Sequence, residues 1–224
     1  MWAIYALTAA LLTSFNPILY KGMLGDSRPV VVVWGVIGLA LPLLALTTFV
    51  LTPVLPRIDG LFVLAILGSA TLNVFAHLAS ARSLKLADAS LVTPLLTFSP
   101  VFTLLISAIF LREMPDARGL MGVVLVLVGA YWLNRRPGSD WFAPFKSIST
   151  QSGVGLILLA GLLWAITPIF EKLAIQHSFP ENPRFAALAA NGLLVGMLTP
   201  FALRQGDRVW TPSFIGDENG CSQR

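Results

Sequence analysis

Seven stretches of the chain carry no Lys, Arg, Asp or Glu: 1–20, 29–56, 60–81, 89–111, 119–134, 147–170 and 185–203. Crossing a hydrocarbon core of about 30 Å takes about 20 consecutive apolar residues, and each stretch approaches or exceeds that length. Short connectors between them hold nearly every charge. The runs are continuous and do not alternate with period two, which excludes a transmembrane β-barrel. The pattern predicts an all-α polytopic membrane protein with spans at about 2–20, 30–50, 60–81, 89–111, 118–134, 153–175 and 185–203.

Composition agrees with that reading. Charged residues are 12% of the chain, where a soluble domain carries about 25%. The hydrophobic fraction is 56% and the mean hydropathy +0.78, so a soluble fold would leave large apolar patches in water. The net charge of +4 does not point to nucleic acid, because the basic residues are scattered over the connectors. They fit lipid headgroups and topology instead. Cys221, the one cysteine, lies in the polar tail; no internal disulfide, metal site or cofactor is expected. The opening MWAIYALTAALLTSF has no basic region and more spans follow, which favours an uncleaved first helix over a signal peptide. Trp2, Tyr131, Trp132, Trp141, Phe142 and Phe145 suit the headgroup layer.

An internal repeat is visible. A shift of 151 residues lays span 1 over span 6, pairing Ala9 with Ala160, Thr13 with Trp164, Asn16 with Thr167, Pro17 with Pro168 and Lys21 with Lys172. The organisation read from it is a five-span unit over 1–136, a linker over 137–152, a second unit of two spans over 153–203 and a polar tail over 204–224. A unit with an odd number of spans forces the next copy to enter the membrane from the opposite side. Inverted repeats of this kind build secondary transporters, with the substrate between the copies near the midplane. On this reading spans 1 and 6 face each other across a pseudo-twofold axis.

Residues 81–135 run ARSLKLADASLVTPLLTFSPVFTLLISAIFLREMPDARGLMGVVLVLVGAYWLNR. Asp88-Ala89-Ser90, Pro94, Ser99-Pro100-Val101, Leu111-Arg112-Glu113 and the spacing of Gly119, Gly122 and Gly129 resemble the EamA domain of the drug/metabolite transporter superfamily. The stretch GLILLAGLLWAITPIFEKLAI, 155–175, resembles the opening of a second such domain. The resemblance covers residues 5–135 plus two further helices. It implies one five-helix EamA-type repeat followed by the first two helices of an inverted second repeat. It also implies a permease or exporter of small metabolites working by alternating access. The solute would be an amino acid, another metabolite or a drug, the setting a bacterial inner membrane, and a homodimer is an open option. Members of this family usually hold two five-helix copies, so the alternative expectation is a truncated, transport-inactive protein or a gene fragment.

Candidate side chains follow from helical faces. Span 3 stacks Ala65, Ser69, Asn73, His77 and Ala81 at intervals of four, which shares one face. Span 4 offers Thr93, Thr97, Pro100, Thr103 and Ser107; span 1 offers Ala9, Thr13, Asn16, Pro17 and Tyr20; span 6 offers Ala160, Trp164, Thr167, Pro168 and Glu171. The candidate substrate contacts are Asn16, Asn73, His77, Thr97, Trp164 and Thr167. Pro17, Pro94, Pro100 and Pro168 are candidate hinges, since proline removes a backbone donor and loosens the turn before it. Small and hydroxylated residues equally line ordinary helix contacts in membranes. Gly192 with Gly196 and Gly122 with Gly129 read as such packing positions. His77 is placed near the end of span 3, where water reaches it. Glu113 is expected to cap span 5, and Glu171 with Lys172 to mark where span 6 leaves the bilayer. No carboxylate lies deep in a span and no catalytic cluster or phosphate loop is present, so an enzyme is not expected. Ten Lys and Arg fall on the side of connectors 1–2, 3–4, 5–6 and the tail, against five on the other. That count places the N-terminus outside, whereas the resemblance implies a cytoplasmic N-terminus, and the resemblance is preferred.

Overall fold

The computed structural model describes residues 2–25, 27–52, 54–87, 95, 99–106, 108–109, 116–134 and 153–206. Helices α1 (Trp2–Thr13) and α2 (Asn16–Met23) make up span 1, followed by α3 (Pro29–Leu51), β1 (Arg57–Ile58) and α4 (Gly60–Leu86). Then come α5 (Ser99–Ile106), α6 (Ala117–Asn134), α7 (Val154–Gln176), β2 (Ser178–Phe179) and α8 (Pro183–Gly206). Four of these, α3, α4, α7 and α8, are long and apolar enough to cross a membrane, and α6 holds a shorter apolar stretch over Ala117–Gly129. The fold is all-α and polytopic. Most of predicted span 4, with Thr97 and Pro94, the linker 137–152 and the tail beyond 206 fall outside the described residues.

Span 1 departs from a single helix. Pro17 has no N–H for the carbonyl of Thr13 and its ring crowds that carbonyl, and the helix is interrupted at Ser14–Phe15 before α2 resumes at Asn16. Helix starts follow capping chemistry. The Asp59 carboxylate accepts the Phe62 N–H at 2.9 Å to open α4. Asn182 Oδ1 does the same for Phe185 N–H at 3.1 Å to open α8. Asp116 Oδ1 accepts the Gly119 N–H at 2.9 Å to open α6; Glu113, expected to cap span 5, lies outside the described residues.

The centre of the molecule is α4 against α7, antiparallel. At one end Ser83 donates its hydroxyl to the Gly153 carbonyl at 2.8 Å; at the other Asp59 meets His177 at 2.7 Å. Beside that second contact β1 and β2 pair antiparallel, Arg57 opposite Phe179 and Ile58 opposite Ser178. Gly153 begins α7 at φ +102, a conformation side-chain-bearing residues avoid, and a Cβ there would lie 3.2 Å from the Ser83 carbonyl. Both helices exceed the bilayer core, about 40 and 35 Å at 1.5 Å per residue.

Small residues let the backbones approach. Ala65, Ser69, Ala70, Ala76, Ala79, Ala81 and Ser83 are buried on α4, and Ala160, Gly161 and Ala165 on α7. A Cβ on Gly68 would come within 2.7 Å of the Phe170 ring, so that contact exists only with glycine. In lipid, where hydrophobicity does not drive helices together, such close packing does. By contrast, a Cβ at Gly122, Gly129, Gly192 or Gly196 would meet nothing within 4 Å among the described residues. Among the described residues the close glycine contacts are at Gly68 and Gly153. Helix α8 packs on α3 and α4, with Trp34 Nε1 donating to Thr199 Oγ1 at 3.0 Å, and α2 packs on α4. Lys21 Nζ donates to the carbonyls of Leu84 and Ala87 at 2.8 and 2.6 Å. This puts a cation on the negative end of the α4 dipole.

Candidate functional site

The inner face of α4 builds the site. Its residues at intervals of four turn inward: Ala65, Ser69 and Ala81 are buried, and Asn73 and His77 half-buried. Asn73 Nδ2 donates to Ser69 Oγ at 3.4 Å, and Ser69 Oγ donates across the helix interface to Glu171 Oε1 at 3.4 Å. Ser69 is completely buried, so this polar line runs through the contact between α4 and α7. The Ser69–Glu171 contact is long compared with about 2.6 Å for a tight hydroxyl–carboxylate bond. The carboxylate is held loosely.

One turn beyond Asn73, His77 packs edge-on against Trp164 with ring centroids 5.3 Å apart. This differs from the expectation that His77 sits at a hydrated span end. The helix continues to Leu86, which leaves the imidazole inside the bilayer segment against an aromatic ring. Trp164 is half-buried and packs on the central core.

A cleft of about 160 Å³ opens beside the polar line, between α4, α7 and α8. Its polar wall is Asn73, Glu171 and Asn191, and its apolar wall includes Ala186, Ala190 and Leu194. The sequence puts Glu171 on the candidate face of span 6 and expects it to mark the end of that span, yet α7 runs on to Gln176, which puts Glu171 about 8 Å inside that end. A sequence signal for it exists, because Glu171 lies seven residues after Trp164, two turns along the same face. Asn191 carries no such signal, as α8 is apolar around its circumference.

The remaining candidates are not gathered here. Thr167 is buried, but its hydroxyl donates to the Leu163 carbonyl of its own helix at 2.9 Å. Asn16 is exposed at the start of α2 and does not line the cleft. Pro168 lies within α7, which continues through it, and Pro17 stands just after the break between α1 and α2. Pro100 is in α5, and Thr97 and Pro94 fall outside the described residues. The central pairing is therefore span 3 with span 6, where the repeat sets span 1 opposite span 6.

Comparison with known proteins bears on the first part of the chain. The model of the EamA-like transporter family matches residues 1–135, which include α1 to α6. No curated protein and no solved structure matches the chain.

Proposed function

Because the chain belongs to the EamA-like transporter family, we propose that it moves a small organic solute across the membrane by alternating access along the face shared by α4 and α7. The observation that carries this reading is the polar line from Asn73 through buried Ser69 to Glu171. Polar groups at such depth are costly in hydrocarbon. Here they border an open cleft, whereas the threonines of the spans turn their hydroxyls back to their own helices, as at Thr71 and Thr103. The reading keeps Asn73, His77 and Trp164 as solute contacts and adds Glu171 and Asn191.

Alternating access needs one end of the site to be held while the other opens. The connectors at the Asp59 end of α4 supply a clasp, with the β1–β2 pair and the Asp59–His177 contact side by side. Their separation and closure would expose and seal the cleft on that face. The bacterial inner membrane is the setting this reading assigns, and the polar face of span 1, with Asn16, completes the path from the other repeat.

Metabolite profiling of cells with and without the gene identifies the solute, and its flux into proteoliposomes tests the site. Asn73→Leu is expected to lower flux about tenfold or more, as a lost polar contact in a desolvated site does. Leu125→Ala, on the exposed face of α6, leaves it within about twofold, the usual result away from such contacts. Equal effects would reduce Asn73 to a packing residue.

A further inference from the structure

The cleft between α4, α7 and α8 is uneven in what its polar groups offer. Asn73 sends its amide nitrogen to Ser69 Oγ, one turn back on α4. Asn191 sends its own to the Ala187 carbonyl at 2.9 Å, one turn back on α8. Each carboxamide thus turns one of its two N–H donors back to its own helix. The third polar wall residue is a carboxylate, Glu171, which only accepts hydrogen bonds when ionised. Lys172 follows it in the chain, but adjacent positions on a helix do not face each other. The polar side of the cleft carries a negative charge at Glu171, with the carboxamides of Asn73 and Asn191 beside it.

We propose that the cleft is a binding site for a small organic cation, an ammonium group on a short hydrocarbon chain. The proposal rests on the transport reading above and names its substrate class. An ammonium carries three donors and no acceptor, which matches one carboxylate and two carboxamide oxygens. Its charge is opposite to that of Glu171, which stands exposed at the edge of the cleft and can turn toward a bound cation. An anion would be repelled by Glu171, and a neutral solute would leave that charge uncompensated. The apolar wall of Ala186, Ala190 and Leu194 suits the hydrocarbon part. The volume of about 160 Å³ is close to the roughly 150 Å³ of a protein cavity that accepts benzene, which sets the size at about six heavy atoms. The loosely held Glu171 gives up little when it turns from Ser69 to a bound cation.

The test is equilibrium binding of radiolabelled n-butylamine to the purified full chain in detergent at neutral pH, with n-butanol and butyrate as neutral and anionic competitors of equal length. Saturable binding is expected, with both competitors at least about tenfold weaker, and Glu171→Gln weakening it about tenfold or more, as loss of a charge-assisted contact does. Should Glu171→Gln fail to fold, the competitor series on the unaltered chain and the Asn191→Leu variant decide the matter. Competition by butanol or butyrate as strong as that by unlabelled butylamine overturns the proposal, as does binding untouched by Glu171→Gln in a folded variant. Flux is read separately. A protein that binds butylamine but moves no solute overturns the transport reading and keeps the cation site. One that carries another solute through Asn73 yet ignores butylamine keeps transport and overturns the cation site.

Discussion

Asp59 uses its two carboxylate oxygens differently. Oδ1 caps α4 through the Phe62 N–H, and Oδ2 meets His177 Nδ1 across the connectors. The backbone N–H of Phe62 foremost, and then the hydrogen bond to His177, hold its carboxyl below the ordinary value of 3.8. A depressed carboxylate contributes stability that is fully present above its unfolded value and is lost as pH falls through the folded one. The unaltered chain is therefore expected to melt above Asp59→Asn at neutral pH. The difference should close below about pH 4, where the carboxylate is protonated in the unfolded chain and then in the folded one. Thermal melts of both proteins in detergent across that range check it, and a gap that persists into acid would show that charge has no part. Elsewhere the hydroxyls show how polarity alone misleads. Thr48, Thr71, Thr103 and Thr167 each donate to the carbonyl four residues earlier. They are satisfied within one helix and need no path, whereas Ser69 reaches across to another helix.

Helices in this fold are decided by what lies against them. α7 continues through Pro168 because its neighbours hold it: Ala160, Gly161, Ala165 and Ala174 are buried, most closely against α4. Span 1 breaks ahead of Pro17, and residues 4–13 of α1 are exposed, so nothing there compensates the lost hydrogen bond. Glycines follow the same logic. Gly68→Val would drive a branched side chain into the Phe170 ring, already 2.7 Å from where a Cβ would sit. Overpacking of this kind costs about 1–3 kcal/mol. Gly122→Val, where a Cβ meets nothing within 4 Å among the described residues, is the control. Thermal melting should fall clearly for the first and stay close to the unaltered chain for the second. A reversed order would mean that α4 and α7 separate readily at Phe170.

At the scale of the whole molecule, the two ends of the α4–α7 pair constrain the chain between them. Ala87 and Gly153 lie together at one end, and Asp59 and His177 at the other. Orientation is a separate matter. Lys21 and Lys85 count toward the more basic side, yet Lys21 is bound to the carboxyl end of α4 and Lys85 donates to the Ser27 carbonyl at 2.9 Å. Cations engaged in holding helix ends together serve the fold whichever way it is inserted, which weakens the charge count as a guide to direction. With a cytoplasmic N-terminus, reporter fusions after residues 86 and 142 report the outer side. Cytoplasmic signals at both positions would reverse the topology.

The sequence by itself determined the membrane setting, because charge-free runs of bilayer length are stable only where hydrocarbon surrounds them, and it determined the family, because that rests on the order of short motifs. It also marked the inner face of α4, since polar residues four apart in an apolar helix share a side. Which helix meets that face was decided only in three dimensions. Membrane helices are apolar all round, so hydrophobic periodicity does not point to a partner, and the matched positions of spans 1 and 6 say only that they are alike. Packing of small residues chose α7, brought Glu171 to Ser69, and placed His77 against Trp164. Asn191 entered the cleft for the same reason, as α8 settled against both α3 and α4.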